Sequence, residues 1–89
     1  MIAEEDAYRS ARHWMALAVA PAGAVGREVA AGLARYDINQ STVRITRSHV
    51  ESALKQVAEA HEALMRAKIM LESINLHELE KELANAPVG

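Results

Sequence analysis

Val43, Val50, Val57, Leu64 and Leu71 recur every seven residues without a miss. Three residues after each stand Thr46, Ala53, Ala60, Ala67 and Ile74. Apolar side chains at two sites of a seven-residue repeat make a helical stripe, and keeping that spacing over several turns holds the stripe against a partner helix. The pattern predicts one long helix over about 41–74, roughly 50 Å at about 1.5 Å per residue. Branched residues at one site and mainly Ala at the other leave little side chain between two backbones. Close, antiparallel packing is expected, with large residues of one helix filling space opposite the Ala of the next. Val43, Val50, Ala53, Val57, Ala60, Leu64, Ala67 and Leu71 are the expected packing seam. Leu54, Met65, Ile69 and Met70 fall off it, which suggests a helix covered on more than one side.

The preceding residues read as two shorter helices. Over 5–20, Tyr8, Ala11, Met15 and Ala18 follow helical spacing, and Glu4, Glu5 and Asp6 suit the positive end of a helix dipole. Pro21 has no N–H to continue the hydrogen-bond ladder, and Gly23 and Gly26 add backbone freedom, so a turn or strong kink is expected at 21–23. Over 24–36, Val25, Val29, Leu33 and Tyr36 form a stripe on an otherwise thin-walled helix. The run DINQS at 37–41 holds turn and N-cap residues, where the chain should reverse. After Ile74 the repeat loses phase. Asn75, with Glu78 three residues on, resembles a capping box ahead of a short helix at 76–84. Residues 85–89 read as a tail.

The fold class expected is therefore all-α: an antiparallel helical hairpin or small bundle, one domain over 1–89. With 89 residues the core is modest, and cysteine is absent, so no disulfide supplements it. Absence of cysteine also fits a reducing compartment, and a cytoplasmic location is expected. The most apolar run, residues 14–25, is too short to cross a bilayer and contains Pro21. The acids at 4–6 and Pro21 after the small residues at 18–20 argue against a cleaved export signal. No membrane association is expected.

Catalytic constellations are missing. None of His13, His49, His61 and His77 has an acid three residues before it, so the Glu-x-x-His pairs of carboxylate-bridged metal sites are absent. No Ser sits in a Gly-x-Ser-x-Gly turn, and the glycines at 23, 26 and 32 lack a preceding strand and a phosphate-binding lysine. Neither an enzyme, nor a metal or cofactor, nor a small-molecule substrate is expected. Helix 41–74 has more apolar positions than one chain can cover. That predicts a protein-interaction module, such as an adaptor, inhibitor, chaperone or assembly subunit, that also forms homo-oligomers. Trp14, Met15, Met65 and Met70 are candidate partner contacts, since Trp anchors interfaces and Met adapts to them.

Residues 26–46, GREVAAGLARYDINQSTVRIT, resemble the helix-turn-helix families. The resemblance implies a DNA-binding regulator whose recognition helix starts near Gln40 and presents Arg44 and Arg47 to phosphate or guanine edges. Leu33 departs from the small residue usual in such motifs, and Asp37 from the turn glycine. The net charge of −2 offers a polyanion little long-range attraction. DNA binding is thus the alternative to a protein partner.

Overall fold

A computed structural model describes residues 3–85. All regular structure among these residues is helical: α1 (Ala3–Leu33), α2 (Gln40–Glu72) and α3 (Leu76–Ala84). Helices α1 and α2 lie along each other, while α3 adds little contact. The molecule is an extended rod, 67 × 23 × 16 Å, with a radius of gyration of 20.5 Å. A compact chain of this length would have a radius of about 12 Å.

The turn or strong kink expected at Pro21 does not end the helix. α1 is one helix of 31 residues that runs through Pro21, so three helices replace the expected four. Local propensity is overridden by packing. Pro21 is half-buried, and it lines a groove with Trp14 and Leu17 of α1 and Glu59 and Ala63 of α2. A break there would uncover both ends of α1 from α2. The helix also stops at Leu33 rather than 36, leaving Arg35 and Tyr36 in the connection.

The ends of α2 follow its caps. The Asn39 side chain accepts from the Thr42 N–H at 3.0 Å, and Thr42 Oγ1 accepts from the Asn39 N–H at 3.0 Å. The Thr42 hydroxyl donates to the Asp37 carbonyl at 2.6 Å and so ties the turn to the helix start. At the far end the Ser73 hydroxyl donates to the Met70 carbonyl at 2.6 Å. Asn75 then caps α3, accepting from the Glu78 N–H at 3.0 Å. Of the expected tail, Asn85 is the C-cap of α3; 86–89 lie outside the described residues.

The core consists of alanines. Among the described residues, Ala11, Ala18, Ala53, Ala60, Ala63 and Ala67 are the buried apolar residues, and no large side chain is fully buried. On α1, the residues turned to α2 include Ala11, Trp14, Ala18, Pro21, Val25, Glu28 and Gly32, alternately three and four apart. On α2 they include Thr46, His49, Ala53, Gln56, Ala60, Ala63, Ala67 and Met70, with the same alternation. Small residues on both sides let the backbones approach closely. A Cβ on Gly32, for example, would lie 3.8 Å from both the His49 Cβ and the Thr46 Cγ2.

Such a core leaves much surface open. The accessible surface is 6956 Å². A compact chain of this mass would expose about 5,100 Å².

Candidate functional site

The seam between α1 and α2 carries one polar pair. Glu28 of α1 and His49 of α2 are part-buried, and the His49 Nδ1 lies 2.7 Å from Glu28 Oε2. A carboxylate only accepts, so the imidazole Nδ1 donates. The pair satisfies two part-buried polar groups at a seam whose buried residues are alanines. Further along, the Arg66 guanidinium sits over the Trp14 ring, 4.8 Å from its centre, and also reaches Glu62 Oε1 at 3.3 Å. His13 meets the same indole edge-on, with ring centres 5.8 Å apart. Trp14 is therefore half-buried and roofed by an arginine.

Val43, Val50, Val57, Leu64 and Leu71 lie outside this seam. Their neighbours Ala53, Ala60 and Ala67 are buried against α1, whereas Val50 is 53 %, Val57 47 % and Leu64 51 % exposed. The valine and leucine stripe instead runs along the flank of α2. α1 has a matching stripe. Tyr8, Met15, Ala22 and Val29 are seven residues apart and exposed. The two stripes share one side of the rod: Val25, Val29 and Leu33 of α1 and Val50, Leu54 and Val57 of α2 line a single shallow apolar groove of about 390 Å³. Toward the connection, Tyr36 and Ile38 continue it beside Val43.

This face is apolar along its centre and carries charges of both signs at its rim. One turn outward from the stripes stand Glu5, Arg12, Val19 and Leu33 on α1, and Arg47, Leu54, His61 and Lys68 on α2, where Lys68 pairs with Glu72 at 3.5 Å. Met15 belongs to the face. Met65 is exposed one residue beyond Leu64, whereas Met70 is half-buried on the seam. The four expected contact residues, Trp14, Met15, Met65 and Met70, are thus not brought together. Gln40, Arg44 and Arg47 are exposed on the first turns of α2, and the first approach to α1 is Thr46 beside Gly32.

Sequence reasoning missed the α1 half of the face. The signal was there: Tyr8, Met15, Ala22 and Val29 keep the same seven-residue interval as the α2 stripe. Reading Pro21 as a break cut that series in two. The Glu28–His49 pair was missed because its register is set by the connection between α1 and α2, whose length the sequence pattern did not fix.

Among the described residues, no group of three or more His, Cys, Asp or Glu could hold a metal ion. By length and composition alone, α1 is long and apolar enough to cross a membrane. Its apolar residues divide between the alanine seam with α2 and the exposed face. Comparison with known proteins gave no matching family model, no similar curated protein and no similar solved structure.

Proposed function

We propose that this chain is a non-enzymatic protein–protein interaction module: one helical unit that acts as an adaptor, inhibitor, chaperone or assembly subunit through the exposed face shared by α1 and α2. In this reading α1 and α2 form an antiparallel hairpin with a heptad-patterned alanine seam. Two contacts support the antiparallel sense: Glu28 meets His49, and Trp14, earlier in α1, meets Arg66, later in α2.

The observation that carries the proposal is the continuous apolar stripe from Val43 to Leu71 beside Tyr8, Met15, Ala22 and Val29, left open by the chain itself. Solvated apolar surface of this extent marks an interaction site in soluble proteins. DNA recognition is less well supported, because a helix-turn-helix crosses its two helices at roughly 90–120°. Here Thr46 and His49 of α2 lie beside Gly32, and Trp14 meets Arg66, so the two helices run along each other rather than crossing.

A photo-crosslinking amino acid placed at Val57, with Ala58 as the outward control, tests the reading in the native host. We expect adducts of discrete mass from position 57 and none from 58. No adduct at 57, or the same pattern from both positions, would count against the proposal.

A further inference from the structure

We propose that the Val43–Leu71 face is closed by a second copy of this chain, the two rods packing face to face as a four-helix bundle. The inference rests on reading the chain as an interaction module, and it names the partner.

Size comes first. From Val43 to Leu71 the stripe is about 42 Å long at 1.5 Å per residue, and two helices of about 10 Å each make it about 20 Å wide. That is about 800 Å² per copy, which is the area a standard stable interface buries on each partner. It also falls within the roughly 1,800 Å² by which the exposed surface exceeds that of a compact chain of this mass.

Register comes second. A lipid surface needs only an apolar sector, and a straight helix meets that at a period of 3.6 residues. A strict seven-residue interval keeps a stripe aligned with another helix over many turns. Here two stripes, one on each long helix, keep that interval side by side. The surface they make is two helices wide and as long as the rod, and a second rod has the same dimensions. Tyr, Met and Leu at the Tyr8–Met15 and Leu64–Leu71 end give way to Ala22 and Val57 at mid-length, where two copies can approach closely.

Charge at the border is mixed. Arg12 and Arg47 stand there with Glu5, and Lys68 pairs with Glu72 at 3.5 Å. A border of both signs makes association of two copies only weakly dependent on ionic strength, whereas salt would loosen binding to an anionic bilayer.

Sedimentation equilibrium of the full chain at about 20 µM, well above the dissociation constant expected for an interface of this size, tests the idea at low and high salt. The expected result is a dimer at both salt concentrations. V57E/L64E should stay helical and dissociate about a hundredfold or more readily, because each charge is buried twice in a symmetric dimer. A58E, on the outward side, should remain dimeric. Should V57E/L64E lose its helicity, the wild-type thermal midpoint still decides: it rises with protein concentration for a dimer and is constant for a monomer.

A wild-type monomer, a V57E/L64E variant that still dimerises, or a monomer that sediments with phosphatidylglycerol vesicles overturns the proposal. A monomer whose Val57 crosslinks only to a different protein overturns the second copy and leaves the interaction module standing. A monomer with no adduct at all removes both.

Discussion

Replacing Pro21 with alanine should stabilise this protein by about 2 kcal/mol, an effect that depends on α1 being continuous. In a helix interior, proline is about 3 kcal/mol less favourable than alanine. It removes the N–H that would bond the Leu17 carbonyl, and its ring crowds that same carbonyl. Because α1 spans Ala3–Leu33, position 21 is interior by many residues on both sides, so the full penalty applies. The substitution also removes two ring carbons from a half-buried site beside Glu59 and Ala63. At about 0.8 kcal/mol per fully buried methylene, half burial loses about 0.8 kcal/mol of packing. The net gain is about 2 kcal/mol, which for a domain of this size raises the melting temperature by about 8–16 °C. Circular dichroism at 222 nm, with both proteins at one fixed concentration, measures it. An unchanged or lower midpoint would refute the reasoning, because it would mean that the ring stabilises a bend the two long helices require.

Two further substitutions test α1 and the seam. Gly26→Ala should stabilise by about 0.5–1 kcal/mol, since a Cβ there meets nothing within 4 Å; a higher urea midpoint at unchanged slope is the expected result. Ala60→Leu should destabilise by about 1–3 kcal/mol, because its added volume enters a close-packed contact. Ala60 is 8 % exposed, and a urea midpoint equal to the wild type would place it outside the seam.

How far the sequence reveals this architecture depends on the scale of the signal. Helix type and the starts of α2 and α3 were legible, because Asn39, Thr42 and Asn75 act through hydrogen bonds within three residues of themselves. The course of α1 through Pro21 was not. A proline's cost is local, whereas its compensation comes from residues of α2 some forty positions away. The division of labour on α2 was hidden for a different reason. Val50 and Ala53 belong to the same seven-residue interval, and an interval does not say which of two adjacent stripes faces the neighbouring helix. The repeat put the valines and the alanines together in one seam. The structure buries the alanines, because Ala11 and Ala18 on α1 offer a surface that only small residues can approach closely.

That choice bears directly on function. Had Val50, Val57, Leu64 and Leu71 filled the space between α1 and α2, the two helices would stand farther apart and their outer flanks would be separated. With alanine between them, the helices draw together, and the flanking stripes of α1 and α2 merge into one continuous face. The valine and leucine residues on that face are then displaced from the intramolecular core while keeping the spacing of core residues. A surface that is flat, two helices wide and patterned for helix packing is better suited to another pair of helices than to a single strand or a small ligand. The weak monomer core points the same way. With six buried alanines and no fully buried large side chain among the described residues, the rod gains most from whatever covers the open face, so under the proposed dimer association and folding stability should rise and fall together.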